Sequence, residues 1–347
     1  MRQTLVNLVF QYYNGHSGNL TSKGWYDTMI FEKQIINAYK GMMHTRCDDT
    51  ETVHYFSPED FPGLLAESHC FQASAGHTLQ GYFYQYENPI VDRLVVFDHG
   101  FGGGHRAYMT EIELLCAHGY QVFAYDHTGC MSSGGETPNG LAQSLCDLND
   151  CITMLKADPR FAEKDISVVG HSWGAFSTLN ITALHPEISH IVAMSGFVCV
   201  EELVGGFFPG ILKGYRKAII ALERTSNPKF ADFHAVQTLA NSSTKALLIY
   251  SDNDQMVTRR HYDLLKDALA HQENIRFLLV SNKGHNPNYT EAAVKYLGEF
   301  SKARTKFTQK KNLTKEEKQA FVAAFDWKRM TAQDSAVWKE IFDHLDH

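Results

Sequence analysis

The run Ile166-Ser-Val-Val-Gly170-His-Ser172-Trp-Gly174-Ala-Phe-Ser-Thr-Leu179 predicts a strand, a sharp G-x-S-x-G turn and a helix. A serine at such a turn adopts a strained backbone conformation that projects its hydroxyl from the sheet, and the flanking glycines avoid clashes with neighbouring backbone. A G-x-S-x-G match does not define a site by itself. Here the strand precedes the match and the helix follows it, so the pattern identifies Ser172 as a candidate nucleophile.

Short apolar runs rich in β-branched and aromatic residues alternate with helix-length segments from residue 93 onward, which predicts a mostly parallel sheet with helices on both faces. Continuous rather than alternating apolar runs are typical of central strands buried on both faces. The predicted strands are 94–98, 121–125, 166–169, 191–194, 246–250 and 275–280. Upstream, alternation over 67–74 and 78–86 around Ala75-Gly-His77 predicts an antiparallel hairpin at one edge of the sheet.

A serine hydroxyl is a poor nucleophile at neutral pH, so a general base and an orienting acid are expected in the chain order serine, acid, histidine. Asp254 follows the predicted strand 246–250, and His285 follows the strand 275–280. Both therefore lie beyond the carboxyl ends of parallel strands, the edge at which such sheets bind ligands. Asp252 competes with Asp254 as the acid, but Asp254 is farther from its strand and freer to reach His285.

The first predicted strand ends in His99-Gly-Phe101-Gly-Gly-Gly104. Acyl transfer develops an oxyanion that needs preorganised donors, usually the amide after the nucleophile and one from the loop after an earlier strand. The backbone amides of Phe101 and Trp173 are the candidates. As a phosphate site the glycine run lacks both the G-x-x-x-x-G-K-[ST] pattern and the spacing of G-x-G-x-x-G.

The predicted domain plan has three parts. Residues 1–65 form a mainly helical extension, 66–300 the catalytic domain and 301–347 a C-terminal extension with two helices, the first opened by the capping box Thr314-x-x-Glu317. About fifty residues separate the strands 191–194 and 246–250, far more than an ordinary connection needs, so about 197–243 is predicted to be an inserted cap. Its candidate pocket residues are Phe197, Phe207, Phe208 and Tyr215.

The bulk composition favours a protein that acts on a small molecule. The 347 residues carry a formal net charge of −7 without a polybasic block, which is not the pattern of a nucleic-acid-binding protein. We expect no signal peptide, no membrane span and a cytoplasmic location, with the seven scattered cysteines reduced. The 18 histidines lack metal-ligand spacing, so neither a metal nor another cofactor is expected. The terminal helices are candidates for a homo-oligomer interface.

Taken together, His99-Gly-Phe-Gly-Gly103, Gly170-His-Ser-Trp-Gly174, Asp254-Gln-Met-Val257 and Gly284-His285 resemble the α/β-hydrolase superfamily. The similarity is greatest to its serine-aminopeptidase and monoacylglycerol-lipase (lysophospholipase)-like branch, and it covers about residues 66–300. The resemblance implies the α/β-hydrolase fold. It also aligns Asp254 with the acid of the family's G-x-x-D-x-x-V-like segment, with Ser251 in place of the glycine.

The leading hypothesis is a serine hydrolase that cleaves a carboxylic ester of a small or medium acyl substrate through Ser172, His285 and Asp254. An amidase or aminopeptidase is the alternative, because the same three residues cleave amides. A non-catalytic ligand-binding protein of this fold is disfavoured, since all three candidate residues are present.

Overall fold

A computed structural model describes residues 22–48, 51–90 and 92–347, and an eight-stranded sheet forms its centre. The strands are β1 (Leu65–Gln72), β2 (Thr78–Gln85), β3 (Arg93–Asp98), β4 (Gln121–Tyr125), β5 (Asp165–His171), β6 (His190–Met194), β7 (Lys245–Ser251) and β8 (Ile275–Val280). All six predicted central strands are present, and none differs from its predicted bounds by more than two residues at either end. The fold class predicted from the sequence is confirmed.

The strand order is β1-β2-β4-β3-β5-β6-β7-β8. The hairpin β1–β2 lies at one edge as predicted, and β2 pairs antiparallel with β4, whereas every pairing from β4 to β8 is parallel. Because parallel strands share one direction, the carboxyl ends of β3, β5, β7 and β8 meet at the same edge. The loops after these four strands hold the candidate functional residues.

The sheet separates two hydrophobic cores, one on each face. Side chains alternate along a strand, so Val96 of β3 faces one core and its neighbours Val95 and Phe97 face the other. Helices cover both faces: α2 (Met109–Ala117), α3 (Gln143–Ala157), α4 (Trp173–Asn180), α8 (Arg259–Leu269) and the terminal helices given below. Burial on both faces explains why the central strands are continuous apolar runs rather than alternating ones.

The segment between β6 and β7 contains α5 (Val200–Phe207), a 3₁₀ helix (Gly210–Tyr215), α6 (Arg216–Ser226) and α7 (Ala235–Ala240). A hydrogen bond joins it to the N-terminal helix α1 (Ser22–Met43): the Tyr39 hydroxyl donates to Glu223 of α6 over 2.7 Å. Glu223 also accepts from the amide of Leu141, over 2.6 Å. One buried carboxylate therefore ties together the inserted segment, α1 and the loop before α3.

Of the N-terminal region expected to be mainly helical, residues 1–21 lie outside the described residues. The remainder contains α1 and a 3₁₀ turn at Pro58–Asp60. Within the described ranges, no helix is both long and apolar enough to cross a membrane.

The C-terminal region departs from its predicted organisation. Helix α9 (Glu291–Thr308) continues through residue 301, where the extension was expected to begin, because the charged residues there form an exposed helical face rather than a break. Three helices follow instead of two: α10 (Lys315–Ala323), the single turn α11 (Trp327–Met330) and α12 (Ser335–Asp346). The capping box between Thr314 and Glu317 is present.

Candidate active site

Ser172 lies at the turn between β5 and α4, with a φ angle of 55°. Positive φ is strained for a residue with a side chain and persists only where the surroundings enforce it. Here the Ser172 amide donates to the carbonyl of Met194 on β6 over 2.8 Å. A side chain at Gly174 would collide with the backbone of Asp98, and one at Gly170 with the backbone of Gly174. The turn therefore requires both glycines of the motif.

The loop after β8 brings His285 to the serine. Nε2 of His285 lies 2.8 Å from the Ser172 hydroxyl oxygen, and Nδ1 lies 2.7 Å from Oδ2 of Asp254. A carboxylate can only accept, so Nδ1 carries the proton and Nε2 accepts from the serine hydroxyl. The structure thus aligns Asp254, His285 and Ser172 in one chain of hydrogen bonds.

The two candidate acids have different surroundings. Asp254 is buried, and its Oδ1 accepts the amides of Met256 and Val257 over 2.7 and 3.1 Å. Asp252 is exposed and accepts the amide of Asn282 over 3.0 Å, a hydrogen bond that lowers the pKa of its carboxyl. Asp252 therefore orders the loop before His285, and the carboxylate that contacts the imidazole is Asp254.

A second histidine, for which no role was predicted, connects the serine turn to the His285 loop. Nε2 of His171 donates to the backbone carbonyl of His285 over 2.7 Å, which leaves Nδ1 to accept from the Tyr108 hydroxyl over 2.9 Å. Burial, with the neighbouring His285 in addition, lowers the pKa of His171 to about 3. His171 is therefore neutral and keeps this arrangement at ordinary pH.

The side chains of the two residues whose amides are the candidate oxyanion donors are in contact. The rings of Phe101 and Trp173 meet edge to face with centroids 5.0 Å apart. Trp173 is the first residue of α4, so its amide has no acceptor within the helix. Its indole donates to the carbonyl of Leu141 over 2.6 Å. Of the glycines after Phe101, Gly104 is needed for close packing, because a side chain there would lie about 2.5 Å from the Asp126 carboxylate.

An apolar cavity of about 240 Å³ opens beside Ser172 and His285. Two of the four predicted pocket residues, Phe197 and Phe207, line it. Phe208 and Tyr215 are not among the lining residues, and that part of the prediction was wrong: α5 ends at Phe207, and the next side chain turns into the core, where Phe208 is fully buried. Leu203, another apolar residue of the predicted cap, also lines the cavity. The lining residues that were not predicted as pocket residues are Met43, Tyr108, Leu141, His171, Met256, Val257 and Asn286.

Beneath the serine turn lies a buried charged cluster. Nε2 of His127 is 2.9 Å from Oδ1 of Asp98, and Nδ1 is 3.2 Å from Oδ2 of Asp147. Burial lowers the pKa of His127, but the two carboxylates outweigh it and raise the pKa to about 9. His127 is therefore a cation at neutral pH and compensates the buried negative charge behind the site.

This sheet, with a serine turn after β5 and an acid and a histidine after β7 and β8, has the arrangement of the α/β-hydrolase fold. The family model described as serine aminopeptidase, S33, matches residues 89–257, just under half of the chain. No sequence match was found among curated proteins.

Two solved structures share the fold. The esterase Pf2001 of Pyrococcus furiosus is 19% identical, with a TM-score of 0.55 over 76% of this chain and 98% of that one. The α/β-hydrolase GrgF of Penicillium sp. sh18 is 18% identical, with a TM-score of 0.50 over 70% of this chain and 97% of that one. The resemblance to the α/β-hydrolase superfamily is confirmed, and the family match supports a hydrolase.

Proposed function

We propose that the protein is a serine hydrolase that cleaves carboxylic esters with a small or medium apolar acyl group. The observation that carries this proposal is the continuous hydrogen-bond chain from Asp254 through His285 to Ser172. Ser172 and His285 at its end line an apolar cavity. A base within hydrogen-bond reach of a serine, itself oriented by a carboxylate, is the arrangement that activates a hydroxyl.

In the proposed reaction, the Ser172 oxygen attacks the ester carbonyl carbon while its proton moves to Nε2 of His285. The negative charge that forms on the carbonyl oxygen is stabilised by the amides of Phe101 and Trp173. The intermediate collapses to an acyl-serine as the C–O bond breaks, and His285 returns the proton to the leaving alcohol. Water then attacks the acyl carbon while its proton moves to His285. The bond to the Ser172 oxygen breaks, His285 returns the proton to that oxygen, and the acid is released.

The character of the cavity supports a neutral acyl group. Among the described residues that line it, none is Asp, Glu, Lys or Arg, and the polar ones are Tyr108, His171, Ser172, His285 and Asn286. The nearby Asp254 is already occupied by His285 and two backbone amides. An aminopeptidase substrate brings an α-ammonium that costs free energy to bury without a partner. An uncharged ester avoids that cost.

An aminopeptidase is the second candidate, and the description of the matching family model favours it. The two candidates are separated by comparing p-nitrophenyl esters of increasing acyl length with aminoacyl p-nitroanilides. We expect turnover of the esters and little turnover of the anilides. Faster hydrolysis of the anilides would replace the esterase proposal with the aminopeptidase.

The proposed nucleophile is tested by labelling with a fluorophosphonate probe. Wild type should label, and Ser172→Ala should not. Ser195→Ala is a matched control, because Ser195 is also a serine with positive φ (52°) after a central strand, but it is fully buried. A folded wild type that fails to label, or a Ser172→Ala protein that labels normally, would leave a non-catalytic binding protein as the better hypothesis.

A further inference from the structure

The loop that holds His285 is paired with a segment of the C-terminal region, residues 332–338, which is called the tail below. The amide of Asp334 donates to the carbonyl of Asn288 over 2.7 Å, and the amide of Thr290 donates to the carbonyl of Ala332 over 2.9 Å. Between these two hydrogen bonds, residues 289 and 333 form an isolated antiparallel bridge. The tail therefore lies beside the end of the His285 loop as a short second strand.

Side chains strengthen this pairing in a buried setting. Oε1 of Gln333 accepts from Nδ2 of Asn288 and from the indole of Trp338, both over 2.8 Å. Nε2 of Gln333 donates to Thr110 of α2 over 3.2 Å. Asn288 and Trp338 are 2% and 3% exposed, so water cannot readily replace the Gln333 oxygen. Nδ2 of Asn288 also donates to Glu111 of α2 over 3.1 Å, and Gln333 accepts its other N–H. Gln333 is the common partner of the loop, α12 and α2.

The other flank of His285 is also tied to the tail. Nζ of Lys283 lies 2.5 Å from Oδ2 of Asp334, and the lysine is only 7% exposed. Asp334 at the same time caps α12 through the amides of Ala336 and Val337. Lys283 and Asn288 stand two residues before and three residues after His285, so the tail holds both ends of the segment that contains the imidazole.

We propose that the tail segment 332–338 is a positioning element for His285 and that Gln333 is its central positioning residue. The inference rests on the proposed function, and it gives the tail, which lies outside the matched family region 89–257, a role in catalysis. Gln333 does not touch the reacting atoms. It acts through Asn288, because a buried amide that must be paired allows the loop few alternative arrangements.

The test compares Gln333→Met and Lys283→Met with the control Gln272→Met. Methionine matches the length of each side chain and removes its polar contacts. Gln272 precedes β8, at the end of the strand opposite His285, and donates to the carbonyl of Ala240 over 3.3 Å. Two quantities are measured on the full chain: kcat and KM for a p-nitrophenyl ester, and hydrogen exchange of residues 282–290.

Both test variants should lose about 10- to 100-fold in kcat, the range expected when a catalytic group is misplaced by an ångström or less. KM should change less than about twofold, because the cavity is intact. Exchange of 282–290 should accelerate in both test variants and stay at the wild-type rate in Gln272→Met. A role in stability alone would lower the melting temperature and leave kcat of the folded enzyme unchanged.

Wild-type kcat and wild-type exchange in both test variants would overturn the proposal. If Gln333→Met does not fold, Lys283→Met decides, because it leaves the Gln333 contacts in place. Failure of the proposed function looks different: folded wild type would neither turn over esters nor label with the fluorophosphonate. Exchange of 282–290 would still show whether the tail restrains the loop.

Discussion

Replacing Asp254 by asparagine removes the negative charge beside His285 while keeping nearly the same shape. The amide oxygen has an obvious place, because the position of Oδ1 faces two backbone donors, the amides of Met256 and Val257. The amide nitrogen must then occupy the position of Oδ2, 2.7 Å from Nδ1 of His285. The opposite rotamer would direct the NH₂ group at two N–H groups, so the surroundings disfavour it.

In the favoured rotamer the asparagine donates to Nδ1, and the imidazole proton moves to Nε2. Nε2 can then no longer accept the Ser172 proton at 2.8 Å, so the base is lost although the geometry is intact. The same substitution in the serine-protease triad lowers kcat by about 10⁴, through the wrong tautomer. We expect a loss in kcat of that order for Asp254→Asn, which corresponds to about 5 kcal/mol of activation free energy.

Steady-state ester hydrolysis measures the effect, with Asp252→Asn as the matched control. Asp252 accepts one backbone amide through Oδ1, which an asparagine oxygen also does, so this variant should keep its activity within about threefold. The reasoning fails if Asp254→Asn retains more than about a tenth of wild-type kcat, or if Asp252→Asn is the more damaged of the two.

Three further outcomes follow from the cavity and its surroundings. Phe207→Ala enlarges the cavity and should shift the preferred p-nitrophenyl ester to a longer acyl chain, whereas Phe208→Ala should lower stability by about 3–5 kcal/mol without that shift. The raised pKa of His127 stabilises the fold fully below about pH 6.5, and this contribution is lost as the pH rises through about 9. In urea unfolding over that pH range, the free energy of unfolding of wild type should therefore fall by about 3 kcal/mol more than that of His127→Gln. Glu223→Ala leaves the Leu141 amide and the Tyr39 hydroxyl without their buried acceptor and should lower the free energy of unfolding by about 2–4 kcal/mol in the same assay.

The parts of the site that follow strand ends were predictable from the sequence. The turn at Ser172 has a local signature, and parallel pairing places every loop after a strand end at one edge, so three residues up to 113 positions apart could be grouped without a structure. The choice between Asp252 and Asp254 was harder, because both follow β7 closely. It depends on which side chain turns inward, and a turn closed by the amides after Asp254 directs that carboxylate to His285.

The pocket wall was less predictable. Phe207 and Phe208 are adjacent and equally apolar, yet they differ in role because the helix ends between them. Met43 belongs to α1, more than one hundred residues before the serine, and nothing in its local pattern relates it to the cavity. Gln333 and Asn288 are 45 residues apart and match no motif, so only the folded chain brings them together.

Helix α1 and the C-terminal tail contact different parts of the proposed active site. Through Tyr39 and Glu223, α1 reaches Leu141, whose carbonyl accepts the indole proton of Trp173, so this region borders the acyl cavity and the candidate oxyanion donor. The tail segment 332–338 holds the loop of His285 through Lys283 and Asn288. Changes in α1 should therefore alter KM and acyl preference, whereas changes in the tail should alter kcat. The family match covers residues 89–257, which contain the proposed nucleophile Ser172 and the proposed acid Asp254. The proposed base His285, helix α1 and the tail that we propose positions His285 all lie outside it.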